Sequence, residues 1–333
     1  MFPPEYSPTI NKLLILETFE HELEIYPISA GLRLDQAIAA EFPQYSRSQI
    51  KAWIDAGAVY LNGAVSRPKT RVAAGDKVRL TATLAASVEL APQAVEFDIA
   101  YSDDHLIVID KPAGLVVHPG AGNADRTLAN GLLNTFPELD ALPRAGLVHR
   151  LDKDTSGLLL VARSAQAYQR LTELMAAREI RREYLALCNG QIISGGTIDR
   201  PIGRDPHNRL KMAVRSDGRT AVTHYRVEEK FRAHSLLSVT LETGRTHQIR
   251  VHMASLGHPI VGDVRYGGRV KLARKPLPEF QQALITLDRH VLHAKALAFT
   301  HPIDEQTLTF ESAPPDTIVR LLELAREDRT RAE

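Results

Sequence analysis

The sequence predicts a two-domain α+β protein, and three observations carry that reading. Apolar residues recur at helical spacing in a short N-terminal stretch. Short apolar runs bounded by glycine recur through the remainder, as strands do. Between the two lies residues 81–94, rich in alanine and interrupted by Pro92, which reads as a linker. At 333 residues, 44% hydrophobic and 24% charged, the chain holds enough apolar material for both cores and has no composition of disorder.

Residues 1–30 carry Pro3, Pro4 and scattered acids without a clear period and read as a loosely ordered lead-in. Over residues 31–80 the pattern tightens. Leu34, Ile38 and Phe42 fall on one helical face. Ser46 offers an N-cap for a second helix, with Ile50, Trp53 and Ile54 on its apolar side and Gly57 at its end. Residues 59–65 follow as a hairpin, because Asn62-Gly63 tolerates the positive φ of a two-residue turn. Arg47 and Lys51 lie one turn apart and Arg67, Lys69 and Arg71 follow the hairpin, so this module can face phosphates; a merely solvated helix face accounts for the same residues.

The larger domain, residues 95–324, opens with strands at 99–101 and 106–109. Its centre is residues 144–163. Leu147 and Val148 read as the end of one buried strand and residues 157–162 as the start of another, pinning between them a loop with His149, Arg150, Asp152, Lys153 and Asp154. A rigidly held polar loop is where catalytic groups are displayed, although Asp152 to Gly157 also has the composition of an ordinary turn. Beyond it come a helix over 165–177, a strand over 180–187 containing Tyr184, and an exposed loop over 201–219. Ile249, Met253 and Leu256 then place Arg250 in the first turns of a helix. Residues 267–278 hold the densest basic run, with Arg269, Lys271, Arg274 and Lys275, residues 318–324 form a short closing helix, and residues 325–333 a frayed tail.

Several function classes fall away. The single cysteine, Cys188, excludes an internal disulfide and a multi-thiolate metal site and fits a reducing compartment. No segment approaches the roughly 20 apolar residues of a membrane span, so the cytoplasm is the expected setting. Gly120-Ala121-Gly122 lacks the third glycine of a dinucleotide loop, since Asp125 stands there. His247, His252 and His258 match no metal-ligand spacing, so no metal is expected. A net charge of +1 leaves any RNA surface to local clusters of Lys and Arg.

Four motifs together resemble one family. The run His149-Arg150-Leu151-Asp152-Lys153-Asp154-Thr155-Ser156-Gly157 is similar to the signature of the ribosomal large-subunit pseudouridine synthases. Asp110-Lys111-Pro112-Ala113-Gly114-Leu115-Val116-Val117-His118-Pro119 resembles their opening motif, within which Lys111 and His118 receive no role. Arg182-Glu183-Tyr184 resembles their basic-x-Tyr motif, with Arg where many relatives carry Lys, and residues 241–253 resemble their third. Residues 31–80 are similar to the S4 RNA-binding domain.

The resemblance implies a mixed, largely antiparallel sheet with outer helices, a catalytic Asp152, and an Arg250 beside it, with Arg245 the second candidate for that place. It also implies that Tyr184 stacks on the target base and that Arg150 fills the gap the base leaves. The chemistry explains the set. Breaking the N1 glycosidic bond and rejoining uracil through C5 needs no redox step or group donor, hence no cofactor. It needs an ionised carboxylate, as nucleophile or as the base that assists an elimination, and a buried carboxylate needs a fixed cation. The expected partner is ribosomal RNA, with Arg47 and Lys51 as further contacts, and the expected state is a monomer. Alternatives are a transfer-RNA synthase of the same family, a non-catalytic RNA-binding module, and a glycoside hydrolase pairing Asp152 with Glu242.

Overall fold

The computed structural model describes residues 16–42, 45, 47–85, 90–120, 123–208, 210–267 and 270–331, and the chain divides into two compact units, residues 1–89 and 90–333. In the first, β1 (Leu16–Glu24), α1 (Leu34–Glu41), α2 (Arg47–Asp55), β2 (Val59–Leu61), β3 (Ala64–Val65) and β4 (Lys77–Ala85) form a four-stranded sheet, in order β1-β4-β2-β3, with two helices. Leu34, Ile38, Ile50, Ile54, Val59 and Leu80 are its buried centre. Asn62 (φ 52°) and Gly63 (φ 81°) turn the β2–β3 hairpin as their sequence anticipates, both in the left-handed region. Ser46, the expected N-cap, and Gly122 and Arg269 lie outside the described residues.

The lead-in requires correction. Residues 16–24 pair with β4 along their whole length, from Leu16 opposite Ala85 to Glu24 opposite Lys77. Half-buried Phe19, His21 and Leu23 alternate with exposed Glu20, Glu22 and Glu24, a period-two pattern that the density of acids obscures. The segment read as a linker from residue 81 likewise starts as strand. At its other end the Gln93 N–H donates to the Asn130 carbonyl (3.1 Å), and the Asn130 side-chain amide donates to the Ala91 carbonyl (2.9 Å), so residues 91–93 are fastened to the second unit.

That unit contains β5 (Asp98–Ser102), β6 (Leu106–Lys111), α3 (Leu128–Thr135), β7 (Ser156–Ala162), α4 (Ala165–Ala177), β8 (Arg181–Asn189), β9 (Gly196–Asp199), β10 (Ile202–Arg204), β11 (Met212–Val214), β12 (Val222–Lys230), β13 (His234–Leu241), α5 (Gln248–Ser255), α6 (Pro278–Ile285), β14 (Leu292–Thr300), β15 (Thr307–Glu311) and α7 (Asp316–Thr330). Among the described residues nine strands form one sheet in the order β5-β6-β7-β14-β8-β13-β12-β9, with β15 on β14. Its pairings are antiparallel except at β7–β14, which run parallel.

Strand alternation divides the apolar residues between the two faces. Ile107, Ile109, Leu159, Val161, Ala186, Leu237 and Val239 turn to one face, where α3 and α5 cover them. Leu106, Val108, Leu158, Leu160, Leu187 and Leu236 turn to the other, under α4, α6 and α7.

Three smaller expectations change. Leu147 makes one isolated bridge to Val161 instead of ending a strand, and the chain reaches it through 3-10 turns at Pro137–Ala141 and Pro143–Gly146. The expected loop over 201–219 contains the paired strands β10 and β11. The closing helix runs on to Thr330. Asp328 is buried and ion-paired with Arg232 (3.0 Å), while Arg326 and Arg329 reach Glu229 (2.9 and 3.0 Å), so most of the expected tail is packed helix. No helix among the described residues is long and apolar enough to cross a membrane.

Candidate active site

The loop between Leu147 and β7 is fixed from several sides before any substrate arrives. The Thr155 N–H donates to the Asp152 carbonyl (3.1 Å), closing a turn, so the turn composition and the presentation of an acid are the same structure. Lys111, wholly buried, donates from Nζ to the carbonyls of Pro112 (2.8 Å), Leu115 (3.0 Å) and Lys153 (3.0 Å). Burial pushes its pKa down to about 8 against the opposing pull of Asp154 and Asp152. This lysine of the opening motif thus cross-links two loops. His149 accepts the Leu160 N–H at Nε2 (2.9 Å), and burial pushes its pKa down to about 3, so it is neutral and structural.

Downstream the same loop is tied to the strand it joins. The Thr155 hydroxyl and His290 share a hydrogen bond (2.8 Å), as do Ser156 and His293 (2.9 Å), whose other nitrogen meets the Ser312 carbonyl (3.0 Å). Gly157, at φ 104°, lies so close to β14 that a Cβ there would stand 2.3 Å from the Ala294 carbonyl oxygen.

Asp152 projects from this frame with 15% of its side chain exposed, and its Oδ2 accepts Nη1 of Arg250 at 2.9 Å. Arg250 is the third residue of α5, and its position is set from behind. Asp263 takes Nε and Nη2 in a two-point contact (2.7 and 3.0 Å) and also accepts the backbone N–H groups of Arg265 (3.0 Å) and Tyr266 (3.1 Å). The guanidinium lies over the Tyr266 ring, 5.1 Å from its centroid. Two carboxylates therefore share one cation, which is held firmly charged. Burial would raise the pKa of Asp152, but neighbouring His247 and Arg250 outweigh it and keep the carboxyl below its ordinary range.

Tyr184 rises from β8 on the face of the sheet that carries Asp152 and lines the same cleft, 5% exposed, its hydroxyl pKa raised by burial. Arg182 and Arg150 also line it. Arg150 is exposed and makes no ion pair among the described residues, so its guanidinium is available. Arg245 borders the cleft but donates to the Thr220 carbonyl (3.0 Å) and makes no contact with Asp152. Of the two arginines weighed for that place, the geometry selects Arg250.

Other expected residues fall elsewhere. Glu242 pairs with Arg178 and with His224 (2.7 Å), whereas Asp152 is the only carboxylate among the described residues lining the cleft. His252 is bound to Thr223 (2.8 Å) and the Arg200 carbonyl (2.9 Å), and His258 to the Asn189 carbonyl (2.8 Å). Arg47 and Lys51 stand in the first unit on exposed faces of α2, Arg47 3.8 Å from Asp35 and Lys51 paired with Asp55. Asp263, Tyr266 and His290 escape a reading of the sequence, because nothing local marks an acid thirteen residues past Arg250 as its partner.

A family model described as RNA pseudouridylate synthase matches residues 105–255, and an S4 domain model matches residues 32–78. The ribosomal large subunit pseudouridine synthase D of Xanthomonas campestris pv. campestris is 50% identical over 304 residues, 91% of this chain and 92% of that protein. The chain belongs to the RNA pseudouridylate synthase family. The protein of the same name from Escherichia coli strain K12 is 48% identical over 90% of this chain and 92% of its own length. Among solved structures, human RNA pseudouridylate synthase domain containing 4 superposes with a TM-score of 0.54 at 28% identity, covering 68% of this chain and 92% of that one. Membership makes the chain an isomerase, and the mixed sheet with an S4 domain ahead of it is the architecture its motifs imply.

Proposed function

We propose that the chain isomerises uridine to pseudouridine in large-subunit ribosomal RNA, free or within an assembling subunit, acting as a cytoplasmic monomer with Asp152 as its catalytic carboxylate. The observation that carries this reading is the ionised Asp152, held by a guanidinium that Asp263 fixes from behind, in a cleft walled by Tyr184. An anion so placed can attack the sugar carbon or assist the elimination that frees the base, and the same carboxylate serves either route. Withdrawing the uridine from its stack costs a few kcal/mol. Stacking on Tyr184, worth about 1–3 kcal/mol, offsets part of that cost. Arg150, exposed at the rim and planar, is suited to occupy the vacated place. The names of the relatives favour ribosomal over transfer RNA.

The test is to map pseudouridines in all RNAs of cells lacking the protein and to restore it as wild type and as Asp152→Asn. Sites that vanish from large-subunit RNA and return only with the wild type are the expected result. Loss confined to transfer RNA would move the substrate, and rescue by Asp152→Asn would leave only an RNA-binding protein. The purified Asn variant should still bind RNA while its product formation falls by at least about 10³, the scale of losing a nucleophile or base.

A further inference from the structure

His247 stands at the entry to α5 in the left-handed region (φ 57°), a conformation that costs a non-glycine residue energy and draws attention when it occurs in a cleft. Its Nδ1 lies 2.7 Å from the Tyr266 hydroxyl. That hydroxyl already accepts the Met212 N–H (2.9 Å), and its single hydrogen has no other acceptor among the described residues, so it is directed at Nδ1. The imidazole is thereby fixed with its hydrogen on Nε2. This nitrogen has no hydrogen-bond partner among the described residues and belongs to a half-buried side chain lining the cleft beside Asp152. Burial lowers the pKa of His247, with Asp152 and Asp263 opposing and Arg250 and Arg265 reinforcing, so at neutral pH it is an uncharged donor.

A second unused donor lines the same cleft. Arg182 is 4% exposed and, among the described residues, has no carboxylate partner and no acceptor for its buried Nε; Nη2 reaches only the Leu241 carbonyl there, at 3.4 Å. Gly244 leaves room for Nη1, since a Cβ there would stand 2.9 Å from it. A buried cation without a counter-charge is costly, and a negative group arriving in the cleft removes that cost.

The reaction produces such a group. Whichever route Asp152 takes, the electron pair of the N1–C1′ bond stays with the base, and uracil leaves as an anion with its charge spread over N1, O2 and O4. The charge is withdrawn when C5 bonds to C1′, and the C5 hydrogen is then lost while N1 gains one, so the product is an isomer. We propose that Arg182 and the His247 Nε2–H are further catalytic residues that together receive the detached uracil anion, with Tyr266 as the positioning residue that fixes the imidazole. Both donate hydrogen bonds to developing charge and transfer no proton, as oxyanion-hole donors do. The assignment rests on the function proposed above.

Single-turnover rates and RNA affinities of four variants test it. His247→Asn suits the left-handed backbone but cannot place a donor where Nε2 stands. His247→Gln suits the backbone less well and can place its amide there. The Gln variant should therefore react at least about tenfold faster than Asn, with Asn slowed on the order of 10²-fold, the scale of losing one such donor. A purely structural role for His247 reverses that order. Arg182→Met should slow the chemical step by at least the same factor with RNA affinity within about threefold. Tyr266→Phe keeps the ring beneath Arg250 but lets the neutral imidazole carry its hydrogen on Nδ1, so the chemical step should slow at neutral pH and recover as pH falls and the imidazolium restores the Nε2–H.

An Asn variant as fast as the Gln variant, an Arg182→Met whose defect lies wholly in affinity, or a Tyr266→Phe that gains no rate relative to the wild type as pH falls overturns the anion site while the isomerase reading stands. A wild-type enzyme that forms no pseudouridine overturns both.

Discussion

Asp152 and Arg250 act as a unit because each meets a need the other creates. Burial would raise the pKa of a carboxylate 15% exposed against an aromatic wall, and His247 together with the guanidinium that Asp263 aims outweighs it. The sign of the pH effect follows. A carboxyl whose folded pKa lies below its unfolded value of about 3.9 contributes stability that is complete above that value and is lost as pH falls through the lower folded one. In the wild type, then, Asp152 imposes no acid limb on the rate above about pH 4. Replacing Arg250 by Met leaves burial unopposed by that cation, so the pKa of Asp152 should rise and an acid limb should move toward neutrality in single-turnover rates. An unchanged profile would mean that the pair does not set the ionisation. Arg150 and Tyr184 carry no such burden; in the proposed reaction their part is to meet the nucleobase.

At the scale of elements, the site depends on one parallel junction in an otherwise antiparallel sheet. Where β7 meets β14 the register places Ser156 opposite His293 and Gly157 opposite Ala294, and the loop that carries Asp152 ends one residue earlier. Gly157→Ala must force a methyl to within 2.3 Å of a carbonyl oxygen at a φ that L residues avoid. We expect a loss of at least about 3 kcal/mol in urea unfolding, together with lost activity, because the strands cannot separate without moving Asp152. A variant as stable as the wild type would show that the junction yields. The helix carrying Arg250 depends on a comparable device, with the Gln248 side chain holding Thr243, Val222 and Thr223 (2.8–3.0 Å) so that α5 starts at a defined place.

At the scale of the whole molecule, we propose that the S4 unit and the synthase unit divide the work of recognition. If α2 of the S4 unit meets phosphates, Arg47→Ala with Lys51→Ala should reduce the slope of log affinity against log salt by about 1–2 while leaving the rate on saturating RNA unchanged. A slope equal to that of the wild type would return both residues to plain surface roles, a reading their contacts with Asp35 and Asp55 also permit. The sequence by itself determined the two-domain α+β class, the Asn62-Gly63 hairpin and the helix over 165–177, and it named Asp152, Tyr184 and Arg250, the last with Arg245 as second candidate, as the residues to look for, because local period, turn chemistry and uninterrupted motifs are written in neighbouring residues. It left β1 unread although Phe19, His21 and Leu23 alternate, since the intervening glutamates resemble a solvated lead-in until β4 is beside them. It also stopped the last helix near Leu324, for Asp328 makes sense inside a helix only once Arg232 faces it. Only the tertiary structure decided between Arg250 and Arg245 as the partner of Asp152, brought Asp263 behind the guanidinium, and made Lys111 a clasp for the loop that carries Asp152. Those choices depend on groups that are distant along the chain and adjacent in space, and no local pattern records a charge whose partner arrives by folding.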